Sequence, residues 1–260
     1  MNTKAAKKQS MLSKLLFKRS VRRWARIADG AKSEHISALR KQRASARRLL
    51  VHLNRFVHVA DNRLALPLIG SQAIQASHDL DWAWRPEAWS GPLPVQGMAT
   101  VPSKAMLGNE ISMHHDCKLS ELSLRQLRNT READLAPYGL RMDVFKFDGS
   151  FLSLVIDFPE ASVVGLRRKH LIRLEPIIEM EKPLEIFARL NINHGPNTEQ
   201  VVRELPLNEK VPMVEFDLAY TKLNEKRIDN MWLDLIFEGP QMNQVTLRDL
   251  TFSRRPRAEM

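Results

Sequence analysis

His114-His115-Asp116-Cys117 places nitrogen, oxygen and sulfur donors in four consecutive residues, the densest set of potential ligands in the chain. In an extended chain neighbouring side chains point to opposite sides, so at most alternate members could share a metal. Nothing nearby repeats the paired spacing of a structural zinc site. A Cys-His nucleophile would need a third, orienting group and an oxyanion element, and neither can be named. The tetrapeptide is therefore read as holding no metal, and no catalytic residue or cofactor is expected.

Polar and aromatic side chains suggest binding instead. In Ile186-Phe187-Ala188-Arg189-Leu190-Asn191-Ile192-Asn193, Arg189, Asn191 and Asn193 face away from Ile186, Ala188, Leu190 and Ile192. Trp232 and Asp234 occupy the same kind of outward position in a later run. Arginine and asparagine donors beside an aromatic ring suit sugar hydroxyls; the plain alternative is a solvated sheet surface. Trp82 and Trp84, two apart, project from one face of a strand. Facing outward they would form a stacking platform, and facing inward a plug. Nine acids, Asp143, Asp157, Glu175, Glu179, Glu185, Glu215, Asp217, Asp234 and Asp249, could contribute the carboxylate pair of a glycosidase, about 5–10 Å apart. Their ordinary role is to solvate outer faces.

These residues need strands to position them, and the pattern supplies strands. From Tyr138 to Phe252 apolar residues recur at every second position, as in Leu140-Met142-Val144, Leu152-Leu154-Ile156 and Met231-Leu233-Leu235-Phe237. Asp148-Gly149 reads as a hairpin turn and His194-Gly195-Pro196-Asn197 as another turn. Pro176 marks an edge, a bulge or a break. Eight to ten strands without intervening helices predict a mainly β protein, an antiparallel β-sandwich of jelly-roll type. The missing crossover helices exclude a βαβ enzyme fold. No glycine-rich phosphate loop or G-x-S-x-G elbow is present. The core is assigned to 138–255 and the Pro- and Trp-containing stretch 64–137 to edge strands, with a disordered tail at 256–260.

Charge divides the chain differently. Residues 1–63 hold 17 Lys/Arg against 3 Asp/Glu, a net +14, while the other 197 residues carry a net −4. Residues 1–10 read as a disordered basic tail, and 11–63 as a basic amphipathic helical region. Phe17, Val21, Trp24 and Ala28 form one stripe opposite Arg19, Arg22, Arg23 and Arg26, and Asp29-Gly30 ends this helix. Ser33 is placed to cap a second helix from Ile36 to Ala60. An anionic membrane surface is one fitting partner, with Phe17 and Trp24 in the interface and arginines on headgroups; an acidic protein is another. Nonspecific nucleic-acid binding follows from charge alone and is not favoured, because no recognition motif accompanies it. One cysteine, no secretory leader pattern and no run of about 18 apolar residues suggest a cytoplasmic protein, peripheral to the inner membrane.

The segments Leu184–Asn191, Asn230–Phe237 and Val245–Phe252 resemble a galactose-binding-like jelly roll, an architecture common in carbohydrate-binding modules. The resemblance implies a penultimate strand with a buried aromatic followed by a closing strand, and a glycan as ligand. The whole chain also resembles an uncharacterised alphaproteobacterial family that brings no activity with it. The expectation is a binding or scaffolding module rather than an enzyme. The alternatives are a carbohydrate-active enzyme using a carboxylate pair and a purely structural or assembly protein.

Overall fold

Alternating Leu, Ile, Val and Met positions become thirteen strands in the computed structural model, which describes residues 3–65, 74, 79–131, 134–209 and 212–257 and only some side chains of its first two helices. The chain divides into two units, Met1–Val57 and His58–Met260. The elements in order are α1 (Thr3–Gly30), α2 (Ile36–Ala65), β1 (Trp82–Trp84), α3 (Glu87–Ser90), β2 (Gly97–Ala99), β3 (Ala105–Leu107), β4 (Ile111–His115), β5 (Leu122–Arg128) and β6 (Tyr138–Val144). Then follow β7 (Leu152–Asp157), β8 (His170–Met180), β9 (Ile186–His194), β10 (Asn197–Glu204), β11 (Val214–Asp217), β12 (Ile228–Phe237) and β13 (Asn243–Pro256).

In the first unit α1 already begins at Thr3, ahead of the expected start at Met11, so the stretch read as a disordered tail is helical from Thr3 onward. It ends at Gly30 as expected. Ser33 does not cap α2: its hydroxyl donates to the Gly30 carbonyl and helps close α1. His35 takes the cap instead, its Nδ1 accepting the Ser37 N–H at 3.3 Å. A ring nitrogen there can satisfy one of the orphan donors of the first turn. Among the described residues no helix is long and apolar enough to cross a membrane.

The second unit is an antiparallel sandwich. One sheet runs β11-β8-β13-β6-β5-β2, with β1 added against the far half of β13; the other runs β10-β9-β12-β7-β4-β3. Between them lies a continuous apolar core that includes Leu124, Leu140, Leu154, Leu190, Leu233, Phe237, Leu250 and Phe252. The stretch 64–137 contributes more than edges. β2 and β3 are edge strands, but β4 lies between β3 and β7, and β5 between β2 and β6.

Asp148-Gly149 is not a hairpin turn. β6 has β5 and β13 on its two sides, so no edge remains for β7, which joins the opposite sheet. The connection is shaped by Asp116, whose carboxylate accepts the Ser150 N–H (2.7 Å), the Phe151 N–H (3.2 Å) and the Ser150 hydroxyl (2.6 Å). At Gly149 an added Cβ would lie 2.5 Å from Asp116 Oδ1, so only glycine passes so close. Pro176 does not break β8; it lies beyond the end of β11, where β8 pairs with β13 alone, and the bulge of this region is at Arg248 on the facing strand. Asn129, fully buried, fills that bulge by donating to the carbonyls of Ala136, Tyr138 and Arg248.

The stretch before β2 is held to β13 by polar bonds. Arg85 makes a two-pronged ion pair with Asp249 at 2.8 and 2.9 Å, with both side chains about 5 % exposed or less. Trp89, fully buried, donates its indole N–H to the Leu247 carbonyl at 2.9 Å. Asp249→Ala is expected to cost about 3–5 kcal/mol by stranding the guanidinium, whereas Arg85→Met with Asp249→Leu should recover most of that loss. Urea unfolding of the two variants checks this: a double variant no better than the single one would show that the pair itself, not its unpaired half, sustains stability.

Candidate functional site

The donor-rich tetrapeptide His114-His115-Asp116-Cys117 is taken up by the end of β4 and the loop after it. His115 is buried, with Nε2 donating to the Val101 carbonyl at 2.9 Å and Nδ1 accepting the Cys117 N–H at 3.2 Å. Asp116 is occupied by residues 150 and 151; the Ser150 hydroxyl, with further help from backbone N–H groups, holds its carboxyl below the ordinary range. Burial pushes the Cys117 thiol up, away from the thiolate that metal binding or nucleophilic attack requires. His114 lies on the other face of β4, where its Nε2 meets the Ser112 hydroxyl at 3.1 Å.

Trp82 and Trp84 are not part of a ligand platform with Arg189. β1 pairs with β13 in the seven-stranded sheet, and both rings join an aromatic cluster at its edge. Trp84 stacks on Phe252 with centroids 5.5 Å apart, Trp82 on Phe158 at 6.1 Å, and Phe158 meets Phe252 at 4.5 Å. Phe252 is fully buried. Large rings beside an incomplete core edge gain more by covering it than by standing in water.

The other five candidates converge. In the β9–β12 register Arg189 faces Asp234, Asn191 faces Trp232, and Asn193 faces Asn230, all on the outer side of the six-stranded sheet. Arg189 Nε donates to Asp234 Oδ2 at 2.8 Å, and its terminal nitrogen lies 2.6 Å from the same oxygen. Asn191 Nδ2 adds a third donor to that oxygen at 3.1 Å, while Asn191 Oδ1 accepts from Gln200 at 2.9 Å. Asn193 accepts from the Thr198 hydroxyl. Asn191 and Asp234 are buried in this network, and Trp232 stays half-exposed among it.

Three further residues share this face and were not singled out in the sequence as binding groups: Gln200 opposite Asn191, His114 on β4, and Asp157, which lies across from Trp232 on β7. Only cross-strand register reveals them, since β4 and β7 are distant in sequence from β9. One transverse row therefore reads Gln200, Asn191, Trp232, Asp157. Partial desolvation pushes the carboxyl of the exposed Asp157 up; His114 opposes this and Asp234 adds to it. A second acid pair, Glu87 and Glu110, has backbone work: Glu110 accepts the Glu87 N–H at 2.6 Å and Glu87 the Asn109 N–H at 2.5 Å. Burial raises Glu110 as well.

The membrane-facing candidates Phe17, Arg19, Arg22, Arg23, Trp24 and Arg26 all lie on α1. Phe17 is 70 % exposed, Trp24 half-exposed, and the four arginines are exposed. Leu50, Leu53, Phe56 and Val57 on α2 are exposed too. The side chains of Leu12, Leu15 and His58, and residues 66–73, 75–78 and 258–260, where the end of the C-terminal tail was placed, lie outside the described residues.

Asp157 gives this face a pH signature. Its folded pKa stands above the unfolded value of 3.8, so the folded state binds the extra proton and stability falls as pH rises from 3.8 through the raised value. Asp157→Asn should therefore unfold at higher urea than the parent at pH 7, with the difference closing as the pH drops below 3.8. A less stable variant at pH 7 would mean that the carboxylate is welcome on this surface, contrary to the desolvation argument.

Solved structures with a similar strand arrangement include the enzymatically active domain of bacteriophage CBA120 tailspike protein 4, at 3 % identity and TM-score 0.39, covering 55 % of this chain. The match spans only 19 % of the tailspike chain. A family 11 carbohydrate-binding module from Clostridium thermocellum, in complex with a mixed-linked tetrasaccharide, matches at 9 % identity and TM-score 0.35, over 64 % of this chain and 99 % of its own. The CBM22-1 xylan-binding domain of Paenibacillus barcinonensis Xyn10C matches at 6 % identity and TM-score 0.34, over 63 % and 94 %. Likeness at this level says nothing of ligand or activity. No curated protein matches the chain in sequence. A family model matches residues 4–260, and the chain belongs to that family, DUF6478, a family of unknown function.

Proposed function

We propose that the protein is a non-catalytic binding module whose six-stranded sheet takes a glycan on its outer face and whose basic helices associate with an anionic membrane surface. The observation that carries the first half is the half-exposed Trp232, flanked across the strands by Asn191 and Asp157 and beside the Arg189–Asp234 pair. An aromatic plane set among fixed amide, guanidinium and carboxylate groups matches a sugar ring, which offers an apolar face and a rim of hydroxyls. The network is already hydrogen-bonded without ligand, so little ordering is needed on binding.

Hydrolysis would ask more of the same face. Asp157 and Asp234 are diagonal neighbours on adjacent strands, a spacing of about 7–8 Å. Asp234, however, is held by Arg189 and Asn191. A carboxylate bound by three donor contacts on one oxygen supports a positioning role over nucleophilic or base chemistry.

The second half rests on two long helices, 28 and 30 residues, with exposed apolar side chains in a segment of net +14. Apolar insertion and headgroup attraction would act together there.

In affinity electrophoresis against a panel of soluble polysaccharides, at least one should retard the full-length protein. Trp232→Ala should weaken that binding roughly 30-fold, the scale of a hot-spot residue worth about 2 kcal/mol. Equal retardation of the variant would remove the proposed face, and release of reducing sugar from a retained polysaccharide would replace the binding module with an enzyme. Separately, the full chain should co-sediment with phosphatidylglycerol vesicles at low salt and less at high salt, and Phe17→Ser with Trp24→Ser should abolish it. Equal sedimentation with purely zwitterionic vesicles would sink the electrostatic part of the reading.

A further inference from the structure

Antiparallel sheets end in edges, and among the described residues this sandwich has five edge strands. Four are short: β1, β2 and β3 have three residues each and β11 has four, and residues 175–180 of β8, beyond the reach of β11, carry Pro176. The fifth, β10, is eight residues long. Proteins usually blunt an edge of that length with proline, like-charged side chains or a bulge, because its free N–H and C=O groups are a template for another strand; the charges of β10, Glu199, Arg203 and Glu204, are instead of both signs. β10 reads Asn-Thr-Glu-Gln-Val-Val-Arg-Glu, with neither proline nor lysine, and its register with β9 runs unbroken from Asn197 to Glu204. Val202 stands 47 % exposed on it.

The orientation of the free groups follows from the hairpin. Asn197 and His194 close the two-residue turn, and the Leu205 N–H donates to Ile186 at the far end. With bonded and non-bonded pairs alternating between these points, Thr198, Gln200, Val202 and Glu204 direct their backbone groups away from β9. The Val202 carbonyl is indeed met from outside, by Arg203 at 2.9 Å.

We infer that two copies of the chain pair through β10, antiparallel about Val201, joining their six-stranded sheets into one. In that register Gln200 faces Val202 of the second copy and can exchange both backbone bonds with it. Glu199 meets Arg203 of the second copy, and by symmetry Arg203 meets the other Glu199, so the strand is complementary in charge to itself. Centring on Gln200 would put Glu199 opposite Val201, and centring between Val201 and Val202 would put Glu199 opposite Glu204, so the charges select the Val201 axis. Arg203, which holds the Val202 and Glu215 carbonyls in the single chain, turns to the incoming carboxylate as the backbone of the second copy takes over the Val202 carbonyl. The pairing is independent of any ligand, and it would set two Gln200-to-Asp157 rows side by side on one continuous surface.

Sedimentation equilibrium of the full-length protein tests this, at an ionic strength where vesicles and polyanions are absent. Dimers are expected at micromolar to submillimolar concentration. Val202→Pro removes an outward N–H and keeps the bonds to β9, so it should leave the far-ultraviolet circular dichroism unchanged and weaken association about tenfold or more. Glu199→Arg alone and Arg203→Glu alone should each weaken it by a similar factor, and the two together should restore it. A monomer at all concentrations overturns the inference. So does a dimer indifferent to Val202→Pro and to both charge reversals, which would point to the helices as the contact. Single reversals that act without rescue in the double variant would also reject the Val201 register.

Discussion

The strand that everything else leans on is β13, the last of the chain. Over Asn243–Pro256 it has β8 along one side and, on the other, β6 for its first half and β1 for its second. Its side chains complete the arrangement. Leu250 and Phe252 face the core, Asp249 holds Arg85, and Arg254 reaches Asp81 together with the carbonyls of Ser162 and Val164. Burying such groups without partners would cost more than the sheet bonds return, so their satisfaction dictates where the irregular segments before β2 and after β7 must run. A strand that closes the chain can act in this way only after the other elements exist, which makes the sandwich a fold of long-range contacts.

Among the described residues the outer side of the opposite sheet carries no such ties, and there its polar residues satisfy one another. Asn191, Asp234, Arg189 and Gln200 are joined by hydrogen bonds beside the half-exposed Trp232. In the proposed binding role, fixed polar groups beside a half-exposed aromatic would recognise shape and hydroxyl pattern at short range. The proposed role of the helices would rest on different physics: an excess of positive charge is felt over about a Debye length, about 8 Å at physiological ionic strength, and is weakened by salt. In the proposed function the chain would separate a short-range binding surface from a long-range electrostatic one, in different units.

Particular residues mark how far the sequence could be read. The Ile186–Asn193 alternation predicted both the buried and the polar side of β9, because side-chain direction in a strand depends only on parity. Asp148-Gly149 misled because turn propensity is local, whereas the partner of a strand is decided by which edges remain free. Ser33 lost the cap to His35 for a related reason, its hydroxyl already serving the end of α1. Trp82 and Trp84 could be placed on a common face but not on a particular sheet.

The sequence alone determined the class of fold, the charge division at about residue 63 and the membership of Arg189, Asn191 and Asn193 in one outward row. Those properties follow from composition and period, which need no knowledge of distant neighbours. Only the tertiary structure decided that Trp232 and Asp157 join that row, that Trp82 and Trp84 cover an edge of the core, that His115 and Asp116 serve a loop, and that β10 is the longest edge strand. Each depends on cross-strand register or on competition for a hydrogen-bond partner, and both are settled between segments far apart in the chain.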